Sequence, residues 1–187
     1  MITLPDNLGP KMSIFGVEAW HSPMALWCLE NVLDVLRPSR IVELGTGYGG
    51  VTAYLGMWAS VNGAHVLSID AADTVPGELA RTLKRLPVCL EHRDIFAADT
   101  VEFLRLMIDD DAAADILLYC DGGNKARELK TFAPFVRPGS VIGCHDWATE
   151  VPVDEMEPFM RDLGFEWYVQ PAALELLRTL QAFWRRT

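Results

Sequence analysis

Apolar positions along the chain alternate between two textures. Leu26, Leu29, Leu33 and Leu36 form a helical stripe that begins behind Ser22-Pro23, a hydroxyl cap followed by proline at the first helical position, and stops before Pro38. Ile41 to Leu44 is a short β-branched run ending in glycine, and a helical stretch follows from about Gly49 to Ser60. A second run, Ala64 to Asp70, comes after Asn62-Gly63. The pattern then repeats as helix 76–86, strand 87–92, helix 98–108, strand Asp115 to Cys120, helix 124–135 and strand Ser140 to His145. Beyond Val153 a helix leads to Gly164, and Phe165 to Val169 reads as a strand. The tail from Ala172 to Trp184 is open to helix or strand, and a final strand near 179–185 is the reading adopted. Short, apolar strands alternating with helices specify an α/β, doubly wound, mostly parallel seven-stranded sheet with helices on both faces.

No repeat or linker divides the chain, so residues 1–187 read as a single domain. Residues 1–21, with Pro5, Gly9, Pro10 and Gly16, read as an irregular N-terminal arm. The formal net charge of −10 repels a phosphate backbone, and no Lys/Arg run marks a local basic groove, so no nucleic-acid partner is expected. Cys28, Cys89, Cys120 and Cys144 lie far apart and form no CxxC pair, which reads as reduced core cysteine rather than a zinc or redox motif. With no long apolar window and no leader pattern, a cytoplasmic protein with no membrane partner is expected.

In a doubly wound sheet, ligands bind beyond the carboxyl ends of the strands. The residues there form a coherent set: the turn Gly45-Thr46-Gly47-Tyr48-Gly49-Gly50, then Asp70, Asp94, Asp121, and His145-Asp146. Glycines at 45, 47 and 49 allow a tight turn and close approach of a ligand to the amides of the following helix. Gly45, Gly47 and Gly50 with Asp70 also satisfy the spacing of a nicotinamide dinucleotide site. Glu43, two residues before the first glycine, disfavours that reading, because a carboxylate there suits the ammonium of a methionine moiety.

The segments Ile-Val-Glu-Leu-Gly-Thr-Gly-Tyr-Gly-Gly (41–50), Leu-Ser-Ile-Asp (67–70), Arg-Asp-Ile-Phe (93–96) and Asp-Ile-Leu-Leu-Tyr-Cys-Asp-Gly-Gly (115–123) resemble successive motifs of class I S-adenosylmethionine (SAM)-dependent methyltransferases. The resemblance runs from about residue 22 to 147 and implies a Rossmann-like fold. It implies that Glu43, Gly45, Thr46, Gly47 and Gly49 surround the methionine part of SAM, with Tyr48 also at the cofactor, that Asp70 binds the ribose, and that Asp94 with Ile95 holds the adenine. Asp121 then stands at the sulfonium end.

The segment from Asp121 to Trp147 looks closest to the small O-methyltransferase, cephalosporin-hydroxylase-like branch. In that branch and in the catechol type, acids at these strand ends hold Mg²⁺ or another divalent cation, which implies Asp121 and Asp146 as metal ligands. Trp147 stands where the catechol pattern has Asn or Asp, so one oxygen ligand is missing unless water, His145 or a substrate oxygen supplies it. The competing reading makes Asp121 a helix cap and Asp146 the partner that orients His145. His145, Asp146 and Asp121 are the candidate catalytic groups, with His145 as general base, whereas Lys125 reads as a solvated helix lysine. Trp147, Tyr48, Trp20 and His21 are candidates to line an acceptor pocket, Trp147 first among them.

The expected function is SAM-dependent O-methylation of a small-molecule or sugar-like hydroxyl. Two alternatives stay open: a nicotinamide-dependent oxidoreductase, and a non-catalytic SAM-binding module whose tail residues Leu177, Leu180, Phe183 and Trp184 form a homodimer face.

Overall fold

The computed structural model describes residues 12–110, 115–170, 173–174 and 179–187. Its first helix, α1 (Pro23–Leu36), starts as the sequence predicts, with Ser22 Oγ accepting from the Ala25 amide at 3.1 Å. Arg37 ends it in the left-handed region, donating its backbone N–H to Leu33. The strand-helix alternation follows: β3 (Arg40–Leu44), α2 (Gly50–Asn62), β4 (His65–Asp70), α3 (Gly77–Leu83), β5 (Val88–His92), α4 (Ala98–Ile108), β6 (Ile116–Cys120), α5 (Lys125–Phe132), β7 (Val141–His145), α6 (Val153–Asp162), β8 (Phe165–Trp167) and β9 (Gln181–Arg186). A 3₁₀ turn, Ala133–Phe135, extends α5.

The strand order is β5-β4-β3-β6-β7-β9-β8, with β9 antiparallel to both of its neighbours and the other pairings parallel. The order reverses between β3 and β6, which places the ligand crevice at their carboxyl ends. Alternate strand residues face opposite layers. Ile41, Leu117, Tyr119, Val141 and Phe183 join the core under α1, α2 and α3, while Val42, Leu118, Ile142 and Trp184 join the core with α4, α5 and α6.

Residues expected to form an irregular arm are ordered where they are described. β1 (Ser13–Ile14) and β2 (Val17–Glu18) make a short antiparallel hairpin. Gly16, at φ 78°, supplies the left-handed turn residue, and Ile14 and Ala19 are buried against the α1/α2 layer. A Cβ on Gly50 would lie 2.6 Å from the Ala19 Cα, so that glycine serves the seating of the arm on the start of α2. Residues 1–11 lie outside the described residues.

The tail resolves as a strand, and this corrects the expected dimer face. Phe183 and Trp184 are buried inside the sheet's two layers, Leu180 is half exposed, and Leu177 lies outside the described residues. Among the cysteines, Cys28, Cys120 and Cys144 are buried and free, whereas Cys89 is exposed. Among the described residues no helix is long and apolar enough to cross a membrane.

Phe183 stacks on Tyr119 with ring centroids 6.2 Å apart, in space left by Gly143, whose added Cβ would lie 2.5 Å from the Phe183 ring. Phe183→Ala removes this fully buried ring and leaves a cavity, for an expected loss of about 3–5 kcal/mol. Urea unfolding checks it; a loss below about 1 kcal/mol would show that β9 does not carry the core in this way.

Candidate active site

The crevice is a cleft of about 660 Å³ over the carboxyl ends of the central strands. Its floor depends on a close backbone approach. Gly45 donates its N–H to Ile69 at 2.8 Å, and Asp121 donates its own to Leu44 at 2.8 Å. A Cβ on Gly45, at φ 98°, would lie 2.5 Å from the Asp121 carbonyl oxygen. Gly49 is required differently, since its Cβ would press on Leu79 and Val75 of the α3 side. Gly47, at φ 51°, faces open space, a cradle that a bound group can enter.

Below the turn lies a buried polar layer. Thr52 and Ser68 donate their hydroxyls to Glu43 Oε2 at 2.6 and 2.5 Å, and Thr46 Oγ1 meets Ser68 Oγ at 2.7 Å. Glu43 Oε1 is buried without a partner. Burial is the main reason the Glu43 carboxyl is pushed up to about 7, against the two hydroxyls that favour its ionised form. Glu43 therefore lies under the cleft rather than in its wall. At the rim, Asp70 Oδ2 accepts from the Gly47 amide at 3.0 Å and Oδ1 from the Ala72 amide at 2.9 Å, which fixes its carboxylate at the strand end.

Asp94 and Ile95 are not brought to this cleft. Asp94 accepts from the Phe96 amide at 2.9 Å in a local turn, helix α4 is capped from Ala97 without a side chain, and Ile95 packs against the α4 to α6 core. Gly45, Thr46, Gly47, Tyr48, Asp70, Asp121, His145 and Asp146 do line it.

At the other end, Asp121 and Asp146 flank His145, whose Nδ1 is 3.2 Å from Asp146 Oδ1 and 3.7 Å from Asp121 Oδ1. The cation beside Asp146 is Lys125, read from sequence as solvated. It is instead buried, its Nζ 2.9 Å from Asp146 Oδ2 and 3.0 Å from both Glu150 and the Gly122 carbonyl. These partners outweigh burial and raise the Lys125 ammonium, while Lys125 and His145 hold Asp146 below the usual carboxylate range in spite of burial. Asp146 itself sits at φ 55°, a strained position for a residue with a Cβ.

His21 is the feature with the weakest sequence signal. It arrives from the arm, fully buried, with its ring 4.0 Å from that of His145. Its Nδ1 contacts the Ala19 carbonyl at 2.8 Å, and its Nε2 contacts the Tyr119 hydroxyl at 3.0 Å and Asp121 Oδ2 at 3.5 Å. Burial first, and His145 next, lower the His21 pKa to about 3. Burial lowers His145 as well, so both imidazoles are neutral, and burial pushes the Asp121 carboxyl well above its ordinary range. The loop under Asp121 is held by Glu128, which sequence reasoning missed. Its buried carboxylate accepts from the Gly122 and Asn124 amides at 3.2 and 3.1 Å.

Trp147 is corrected. It packs edge-on against Trp167 and Trp184, with centroids 5.7 and 4.9 Å away, and leaves the cleft to Trp20 and Tyr48, whose rings meet at 5.9 Å.

The raised Glu43 carboxyl gives a signed pH dependence. Because the folded form holds this proton more tightly than the unfolded one, its stabilising contribution is complete below about pH 4.5 and is lost as pH rises towards and through 7. Relative to Glu43→Gln, the wild-type chain should lose up to roughly 3 kcal/mol of stability over that window. Urea midpoints at pH 5 and pH 8 check this, and parallel behaviour of the two proteins would contradict it.

Comparison with known proteins agrees with this geometry. The family described as rhamnosyl O-methyltransferase/CmcI matches residues 8–164. Rhamnosyl O-methyltransferases of Mycobacterium tuberculosis and Mycobacterium bovis are 36% identical over 44 residues, which is 24% of this chain and 18% of theirs. The match thus spans under a fifth of those relatives. Among solved structures, CmcI with Mg-SAM is similar at TM-score 0.69 and 18% identity, covering 94% of this chain and 76% of that one. CmcI with S-adenosylhomocysteine (SAH) has TM-score 0.63 and 17% identity over 94% and 81% of the two chains. A Geobacter sulfurreducens methyltransferase has TM-score 0.61 and 14% identity over 87% and 78%. These structures share the fold, and the length of the family match settles the lineage: the chain belongs to the rhamnosyl O-methyltransferase/CmcI family.

Proposed function

We propose that this chain binds SAM in the cleft and methylates a hydroxyl of a small, sugar-like acceptor. The observation that carries the reading is the charge of the cleft wall. Among the described residues Asp70, Asp146 and Glu150 line it beside Lys125, which Asp146 and Glu150 already engage. Such a wall favours a ligand with a sulfonium and an ammonium and repels the pyrophosphate of a dinucleotide. The open cradle at Gly47 fits the same ligand. The sugar-like acceptor follows from the rhamnosyl O-methyltransferase relatives and from the exposed Trp20 and Tyr48 rings at the rim, suited to stack on a sugar face.

SAM, when bound, supplies an electrophilic methyl group. The chain's own residues supply position and proton handling. Asp70, oriented by two backbone amides, offers its remaining lone pairs to a ribose diol. The amide end of α2 and the Gly45-Gly47 turn let a ligand approach the backbone. At the opposite end His145 is neutral and faces the cleft, so a ring nitrogen can accept the hydroxyl proton of an acceptor. Asp146, ionised and anchored by Lys125, orients and stabilises that imidazole. Alignment of the two reactants supplies much of the rate.

Calorimetric titration with SAM, SAH and NAD tests the cofactor. SAM and SAH should bind, NAD should not, and Asp70→Asn should weaken SAM binding by about tenfold or more. Tight NAD binding without a SAM response would sink the reading. Methyl transfer from SAM to a panel of glycosides and small hydroxylated compounds tests the reaction. Asp146→Ala should cut turnover by at least about a hundredfold with SAM affinity retained, whereas a chain inactive on every acceptor would be a binding module.

A further inference from the structure

The general base of the methyl-transfer reading is held at one edge only. His145 Nδ1 lies 3.2 Å from Asp146 Oδ1, and a single hydrogen bond leaves an imidazole free to swing about its Cβ–Cγ bond. A second carboxylate is close to the same nitrogen, since Asp121 Oδ1 is 3.7 Å away. A swing from one acid towards the other redirects Nε2, the nitrogen left for an acceptor hydroxyl. What stands against the face of this ring is the ring of His21, with centroids 4.0 Å apart and planes inclined by 32°.

His21 is itself fixed at both edges. Its Nδ1 meets the Ala19 carbonyl at 2.8 Å, and a carbonyl only accepts, so the proton is on Nδ1 and Nε2 is left to accept the Tyr119 hydroxyl at 3.0 Å. Tyr119 accepts in turn from Gln181 Nε2 at 2.7 Å. The ring is thus gripped by groups from the arm, β6 and β9, and His21, Tyr119 and Gln181 are all buried. The grip reaches the arm's own seat, because Ala19 lies so close to Gly50 that no Cβ fits between them. With both nitrogens engaged in holding the ring, His21 has only its face to offer the cleft.

We propose that His21 is a positioning residue for methyl transfer: its ring fixes the plane of His145, so that Asp146 keeps Nδ1 and Nε2 stays directed at the acceptor hydroxyl. The inference rests on the methyl-transfer reading, in which His145 takes the proton. No proton passes through His21. The hairpin arm then has a part in the chemistry, because the seating of Ile14 and Ala19 on the α1/α2 layer sets where this ring stands. A misplacement of about 1 Å in a reacting group can cost about a hundredfold in rate, which gives the scale of the effect.

Carbon-13 relaxation of the His145 ring in the full, histidine-labelled chain reads its motion directly. The chain has four histidines, and the His145→Ala spectrum assigns the signals. In the wild-type chain the ring should be as ordered as rigid backbone, at an order parameter of about 0.85, with no slower exchange. His21→Ala should drop it below about 0.6 or introduce exchange, with the β7 backbone unchanged. His21→Phe, which keeps a ring face and loses both hydrogen bonds, should retain the order. In turnover with the best acceptor of the glycoside panel, His21→Ala should lower kcat by about tenfold or more with KM and SAM affinity within about threefold, and His21→Phe should recover most of the loss. If His21→Ala does not fold, Tyr119→Phe takes its place: it keeps the core ring, removes only the hydroxyl on His21 Nε2, and should loosen His145 to a smaller degree. An unchanged His145 ring in the folded variants, or a Phe variant no better than the Ala variant, would overturn the proposal. Loss of His145 order in His21→Ala, in a chain whose wild-type form methylates no acceptor, would keep the positioning contact and remove the methyl-transfer reading.

Discussion

The architecture of the cleft depends on how closely the ends of β3 and β6 approach. Gly45 and Asp121 run past each other so tightly that no Cβ fits between Gly45 and the Asp121 carbonyl, and the Gly45 and Asp121 amides cross-link the crests of β4, β3 and β6. This happens where the strand order reverses, so the backbones diverge beyond it and open a crevice. Asp70 falls on one side of the approach and Asp121 on the other. A side chain at Gly45 would force these ends apart and separate the two halves of the site, which is a stronger constraint than conformational freedom alone.

Two buried acids keep that geometry in place without reaching the ligand. Glu43 gathers Thr52 and Ser68, and through Ser68 it steadies Thr46 in the turn. Glu128 gathers the Gly122 and Asn124 amides, and its carboxylate fills the space beside Gly122. Burial pushes Glu43 to about 7 and Glu128 to about 6, the cost of using carboxylates as internal struts. Glu128 also satisfies two amides of its strand-end loop from within the protein.

Much of this was legible in the sequence. The alternation of short apolar runs with helical stripes gave the seven strands and the order of elements, because parallel strands buried on both faces can hardly be written another way. Strand-end logic brought Asp70, Asp121, His145 and Asp146 to the cleft. It also nominated Asp94 and Ile95, which local turn chemistry and core packing claimed instead. Lys125 and Trp147 were misplaced for a shared reason: a helix lysine and a rim tryptophan are assigned by what faces them, and Glu150, Trp167 and Trp184 are tertiary neighbours from separate segments. His21 is the extreme case. Its role depends on a hairpin folding back over α2, a long-range contact for which Gly16 and Gly50 were the sole local signals.

The arm therefore does more than cover the cleft. The wall it completes has carboxylates in two electrical conditions. Asp146 and Glu150 are neutralised by Lys125, while Asp70 is held by amides and Asp121 by imidazoles that burial keeps uncharged. A cleft built this way has unmet demand for positive charge at two separate points, beside the glycine turn and beside the histidine pair. A ligand carrying a fixed cation answers the first. The second lies where His21 closes over Asp121, so the hairpin excludes water from that carboxylate, and this burial pushes it above its ordinary range. His21 thus brings desolvation without a compensating charge, because the same burial keeps its imidazole neutral.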